Sequence, residues 1–233
     1  MINFPRRALR CLALFAPLSA LADAAADSPV LIQQRNIEIS AAQGQLTHYP
    51  VALCQLQNVE TLSLMGHSFA EVPDCVAQNG RTLRQLRLSN NGISKASAAT
   101  FQLRFLELLD LSNNKLTLKA SDDWSGLTKL SNLFLNNNPT AELPSSIGQI
   151  STLEVLSLVN TQITTLPDSF ANLTSLRVLD LTNTKIVTTP KAFAGMVNLE
   201  QLNLTGVTTL PPGEKAVIAA IFKGRATKVT YSP

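Results

Sequence analysis

The segment Leu153–Ile186 reads LEVLSLVNTQITTLPDSFANLTSLRVLDLTNTKI and holds one pattern twice. Leu153, Leu156, Leu158 and Ile163 recur as Leu176, Leu179, Leu181 and Ile186, 23 residues on. A fixed period of this length marks stacked supersecondary units, so it decides the architecture before any other reading. Stepping the phase upstream gives LSNLFLNNNPT from Leu130, LELLDLSNNKL from Leu106, LRQLRLSNNGI from Leu83 and VETLSLMGHSF from Val59; downstream it gives LEQLNLTGVTT from Leu199. The seven starts are 23 or 24 residues apart throughout.

The physical content of the repeat follows from its alternation. In Leu156-Ser157-Leu158 the period of two makes a short strand with both leucines on one face. A lone strand cannot bury that face, whereas stacked copies form a parallel sheet over one continuous leucine core. The second half of each repeat carries apolar residues such as Leu166, Phe170 and Leu173, which predict a short helical or irregular return closing the core from outside. Asn91, Asn114 and Asn138 follow the strands at a sharp bend, where an amide can both donate to and accept from otherwise unpaired backbone groups. His67, Thr161, Thr184 and Val207 stand at the same place in the other repeats. A threonine supplies part of that bonding and valine none, which predicts a looser turn near 207.

The pattern LxxLxLxxNxL, with connecting pieces such as Leu166-Pro167-Asp-Ser-Phe170, resembles the leucine-rich repeat family in its 23-residue form. The resemblance covers residues 36 to the C-terminus. It implies an α/β solenoid: a curved parallel sheet on the concave face, short helices or irregular segments on the convex face, and a cap at each end. It implies little about function, because a fold does not fix one. Exported bacterial members are often envelope or host-directed interaction proteins.

Four regions are expected. Residues 1–24 read as a secretory signal peptide, with Arg6, Arg7 and Arg10 before the apolar run 11–22 and an Ala-Asp-Ala site at 22–24. That run is shorter than the ~20 apolar residues of a membrane span. Residues 27–58 form an N-terminal cap, 59–210 the seven repeats, and 211–233 a C-terminal cap with a helix at 214–224 and a strand around Val229 and Tyr231. The destination is the periplasm or the medium. Cys54 and Cys75 are the cysteines left after export, a disulfide candidate in adjacent connecting segments; two free buried thiols are the alternative.

Net charge is +3 over the 233 residues, but residues 1–24 contain three Arg and one Asp, so the remainder carries +1. Such a balance gives no ground for nucleic-acid binding, which needs a clustered basic face. Nucleophile-elbow, phosphate-loop and zinc-protease motifs are absent from the sequence, so no enzymatic activity, metal or cofactor is expected. Asp122 and Asp123 read as a solvated loop beside Trp124.

The informative positions are the ones the repeat does not dictate. Residues between the leucines point away from the core onto the concave face. There Leu108, Phe134, Val155, Val159 and Val178 are apolar with no demand from the fold, flanked by Arg87, Asp110 and Asp180. An apolar patch with a polar rim suits a protein-binding site. The alternative is a plain face, with valines chosen for strand propensity and Arg87 paired to Asp110 across strands. The expected function is an exported, monomeric interaction module binding a protein partner through the concave sheet. Glycan or cell-wall binding, or structural self-association in the envelope, rank behind it.

Overall fold

The computed structural model describes residues 35–231; the signal-peptide reading at 1–24 and the first part of the expected N-terminal cap lie outside the described residues. The strands are β1 (Asn36–Glu38), β2 (Thr61–Ser63), β3 (Glu71–Val72), β4 (Gln85–Arg87), β5 (Lys95–Ala96), β6 (Leu108–Asp110), β7 (Asn132–Phe134), β8 (Val155–Ser157), β9 (Val178–Asp180), β10 (Gln201–Leu204) and β11 (Lys228–Tyr231). Nine of them form one sheet in the order β1-β2-β4-β6-β7-β8-β9-β10-β11. Every pairing in it is parallel, and the register follows the repeat phase. Leu62, Leu86, Leu109, Leu133, Leu156, Leu179 and Leu202 thus form one row, each fully buried. β1 and β11 extend this sheet at either end by pairing with β2 and β10.

The connecting halves return as 3-10 helices at Val51–Gln55, Asp74–Asn79, Ala98–Gln102, Ser145–Gln149, Asp168–Asn172 and Lys191–Gly195. Five of the six follow a proline, Pro50, Pro73, Pro144, Pro167 and Pro190, whose fixed φ sets the extended residue before the turn. They stack closely: a Cβ on Gly148 would lie 2.4 Å from the Ser169 carbonyl oxygen of the next repeat. Repeat 106–129 lacks this 3-10 helix. Its Trp124 nevertheless takes the inward place that Phe101, Ile147, Phe170 and Phe193 hold at steps of 23 residues. The indole is fully buried and stacks on Phe101 with ring centroids 4.1 Å apart, so it belongs to the core, while Asp122 and Asp123 beside it are half-buried and exposed.

Each of the seven repeat strands, β2, β4 and β6–β10, leads into a bend at which one residue adopts positive φ: Gly66, Asn90, Asn113, Asn137, Asn160, Asn183 and Gly206, with φ between 54° and 80°. Only glycine and asparagine visit this region readily. The residue that follows, half-buried at Asn91 and buried in the others, is the ladder residue. Asn114 donates from Nδ2 to the carbonyls of Leu88 (3.0 Å), Leu111 (2.9 Å) and Ser112 (3.2 Å) and accepts from Ile93 N–H (3.0 Å), which ties two repeats together. Asn138 repeats the arrangement with Leu111, Leu135, Asn136 and Leu116. Thr161 and Thr184 retain only the bond to the carbonyl of their own repeat, Leu158 and Leu181. At 207 the turn keeps the shape of the others, because Gly206 (φ 72°) adopts the bend without strain and Val207 N–H bonds Leu204 O at 3.2 Å. The backbone there does without a side-chain amide.

His67 occupies the ladder place in the first repeat. Its Nε2 lies 3.0 Å from Ile39 O and its Nδ1 accepts from Leu46 N–H at 3.3 Å, so the imidazole bridges β1 and its return to the repeat. On the connecting side, Cys54 and Cys75 of the first two 3-10 helices named are joined by a disulfide with Cα atoms 5.5 Å apart. At the other end the α-helix α1 (Pro212–Ile221) packs Ile218 into the core, and Phe222 just after it meets Phe193. Thr189 N–H donates to Glu214 Oε2 (2.8 Å), which pins α1 to the last connecting segment.

Candidate functional site

The eight residues singled out on the concave sheet sit on five neighbouring strands and the bend after β8. Arg87, Asp110, Phe134 and Asp180 belong to a single row, completed by Ser157 between Phe134 and Asp180. Leu108, Val155 and Val178 belong to the adjacent row, with Asn132 between Leu108 and Val155. All eight are half-buried, because side chains on strands about 4.8 Å apart shade one another. The most exposed large apolar residues among those described lie elsewhere: Phe105, Val187, Val197 and Val217.

The two aspartates are partly engaged by their own strands. Asp110 Oδ1 accepts Ser112 N–H at 2.9 Å; Asp180 Oδ1 accepts Thr182 N–H (2.9 Å) and Thr182 Oγ1 (2.6 Å). Asn203 and Thr205 reproduce the Asp180 arrangement one repeat on. These side chains therefore brace the strand ends, and each aspartate keeps its second oxygen for a partner. Arg87 stands beside Asp110 in register but forms no ion pair among the described residues; the pairs present there are Arg35–Glu60 and Arg177–Glu200. Val159 belongs to a third row, where its N–H donates to Asn136 Oδ1 (2.9 Å). The face thus presents an apolar strip, Phe134 and Leu108 running to Val155 and Val178, beside an unpaired guanidinium.

A polar line borders this strip. Asn183 Nδ2 donates to Asn160 Oδ1 (2.8 Å), Asn160 to Asn137 (2.6 Å) and Asn137 to Asn113 (2.7 Å), an exposed amide ladder built from the positive-φ residues themselves. The sequence signal for it is the run of Asn or Gly at 66, 90, 113, 137, 160, 183 and 206, one place before the buried ladder.

The two histidines both contact groups of the first turn of the solenoid. Both ring nitrogens of His67 face backbone groups, and His48 Nδ1 lies 3.0 Å from Thr47 Oγ1. The described residues include no cluster of three or more His, Cys, Asp or Glu able to hold a metal ion. No helix among them is long and apolar enough to cross a membrane.

Residues 103–217 match the family described as a leucine-rich repeat region. Among curated proteins the chain resembles keratocan of Mus musculus and of Bos taurus, 34% identical in each case over 112 residues, which is 46% of this chain and 31% of theirs. The chain thus spans about a third of the length of those relatives. Among solved structures it superposes on a leucine-rich repeat protein of Leptospira interrogans (TM-score 0.65, 24% identity, 86% of this chain and 55% of that one). It also superposes on the ectodomain of the receptor kinase GASSHO1/SCHENGEN3 from Arabidopsis thaliana, solved in complex with CASPARIAN STRIP INTEGRITY FACTOR 2 (TM-score 0.56, 22% identity, 70% and 24% of the two chains). Stacked strands in register with a 23-residue repeat, a buried asparagine ladder and this family match together make the chain a leucine-rich repeat protein.

Proposed function

We propose that this chain is an exported interaction module that binds a protein partner through its concave sheet. The observation that carries the reading is the apolar strip Leu108, Phe134, Val155 and Val178 on β6–β9, half-exposed where the fold needs no apolar residue. Phe134 is its largest member and the anchor. Arg87, Asp110, Val159 and Asp180 form the surround, with the free guanidinium of Arg87 setting the sign of one contact. The Arabidopsis ectodomain, solved with a bound factor, gives a precedent for a partner held by this architecture. Export is supported by the basic and apolar N-terminus and by the Cys54–Cys75 bridge, which belongs in an oxidising compartment. The protein acts by shape and hot-spot contact, with no part for a cofactor, and works as a monomer.

The test is affinity capture from native envelope and medium with the wild-type chain and a Phe134→Asp variant as parallel baits, the variant's fold checked by circular dichroism. Loss of an anchor of this kind costs about 2 kcal/mol, roughly thirtyfold in affinity. A partner held by the first bait and lost by the second supports the reading. Equal capture by both removes Phe134 from the site and moves binding off the concave sheet.

A further inference from the structure

Besides the nine-stranded sheet, the fold contains a second, two-stranded one. β3 and β5 pair in parallel, Glu71 with Lys95 and Val72 with Ala96, on the segments that descend from the strand-end bends. The repeat spacing places residues 118 and 119 next in this series, yet they form no strand. After Lys115 N–H donates to Ile93 O (2.8 Å), no backbone hydrogen bond joins residues 94–98 to 116–120. The chain turns away instead: Asp122 N–H bonds Lys119 O (3.0 Å), and Lys119 N–H returns to Asp122 Oδ2 (2.9 Å). Here the sequence has Leu118-Lys-Ala-Ser-Asp-Asp-Trp124 in place of a segment such as Leu166-Pro-Asp-Ser-Phe170, and the preceding repeat, Ser94-Lys-Ala-Ser-Ala-Ala-Thr-Phe101, also lacks the proline.

The divergence leaves a groove of about 420 Å³ between β5 and the 116–119 segment. Its apolar lining includes Phe101, Leu116 and Leu118, and its charged residues are Lys95, Lys119, Asp122 and Asp123. None of these four enters an ion pair among the described residues. An unpaired strand edge is a template for another strand, with backbone bonds giving affinity and side-chain pockets giving selectivity. The charges on this edge are of both signs. Asp122 Oδ2 accepts Lys119 N–H and Asp123 Oδ1 accepts from Ser125, but none has an ion-pair partner among the described residues, which fits an occupant that brings both an acidic and a basic side chain.

We infer that the open edge of β5 is a second docking site, which takes an extended peptide segment of a partner protein as an added strand, with apolar residues over Leu116 and Leu118 and oppositely charged residues toward Lys95/Lys119 and Asp122/Asp123. The site is separate from the concave strip, so each stands or falls by its own variant.

The test screens the protein, residues 25–233, against a display library of seven-residue peptides with a Val/Thr-alternating centre and randomised ends. Binding of enriched peptides is then measured by anisotropy. Trp124, the only tryptophan of the chain, stacks on groove-lining Phe101 and serves as an intrinsic fluorescence reporter. Enrichment of peptides carrying one acid and one base supports the proposal when two further results hold. A central proline must weaken binding at least tenfold, since it removes a ladder donor, and Ala98→Arg, at an exposed groove position, must do the same. Phe134→Asp must leave binding unchanged. No enriched peptide, equal binding of the prolyl peptide, or loss on Phe134→Asp with retention on Ala98→Arg would each overturn it. So would a groove occupied by a second copy, seen as a dimer by light scattering that Ala98→Arg dissolves.

Discussion

Replacing ladder asparagines by alanine should destabilise the chain unequally, and the inequality can be worked from single hydrogen bonds. Asn114→Ala removes the only partner of Ile93 N–H, a buried donor, together with the bonds that Asn114 Nδ2 makes to Leu88, Leu111 and Ser112. Leu88 O keeps Asn91 Nδ2 (3.0 Å) and Leu111 O keeps Asn138 Nδ2 (2.9 Å), so neither carbonyl is orphaned. The orphaned N–H costs about 2 kcal/mol and the lost net bonding about 1 kcal/mol, so the expected loss is about 3 kcal/mol. Asn91→Ala differs. Asn91 Oδ1 is buried and already without a partner, so its removal orphans no N–H and relieves one unsatisfied acceptor. Its Nδ2 bonds go to Leu64, Leu88 and Ser89; Leu88 O keeps Asn114 Nδ2, but Leu64 O, in a fully buried residue, loses its donor, so the loss there should be about 2 kcal/mol, still below that at Asn114. Urea unfolding followed by circular dichroism, with m-values compared, gives both numbers. A loss at Asn91 equal to or larger than that at Asn114 would refute the assignment of the energy to the accepted Ile93 N–H.

Three further outcomes are expected. Replacing Cys54 and Cys75 together by alanine removes a cross-link of sequence separation 21 and lowers stability by about 3 kcal/mol in the chain-entropy account; reductant should lower the melting temperature of the wild type and leave the double variant unchanged. Gly206→Ala puts a Cβ 1.7 Å from Asn183 Oδ1 at a φ of +72°, so it should destabilise by about 1–3 kcal/mol, with part of the loss recovered in a Gly206→Ala/Asn183→Gly pair. Glu214 is held below the ordinary carboxylate range, first by the Thr189 side chain and then by its N–H. A lowered folded-state pKa means that this contribution is present above the unfolded value of about 4.3 and is lost as pH falls through the folded one. Urea midpoints of wild type and Glu214→Gln should therefore converge as pH drops below that value, and a constant gap would exclude Glu214 from the acid sensitivity.

The repeat register was legible because a parallel stack of short strands has one way to bury a column of leucines. Once Leu156 and Leu179 align, so do Leu158 with Leu181 and Ile163 with Ile186. The Cys54–Cys75 pair was legible as a candidate for the same reason, since residues in adjacent connecting segments lie one repeat apart in space. The bends were half legible. The buried asparagines announced themselves, while the positive-φ column one place earlier needed the observation that all seven of its members are Asn or Gly. Asp122 and Asp123 lie at the surface as a solvated loop, while the inward place of Trp124 beside them follows from its spacing from Phe101 and Phe170.

The concave strip was legible as an orientation, because alternation alone sends Leu108, Phe134, Val155 and Val178 outward from the leucine rows. Alternation does not say how far neighbouring side chains shade one another, nor that Asp110 and Asp180 turn an oxygen back onto their own strand ends. The sequence by itself determined the solenoid, its phase and the inward or outward sense of each strand residue, since those follow from local periodicity repeated along the chain. Only the tertiary structure decided the β3–β5 pairing, its open edge and the groove beside it. Those depend on how far apart two descending segments come to lie, a distance set by the packing of whole repeats and by the turn at Lys119–Asp122.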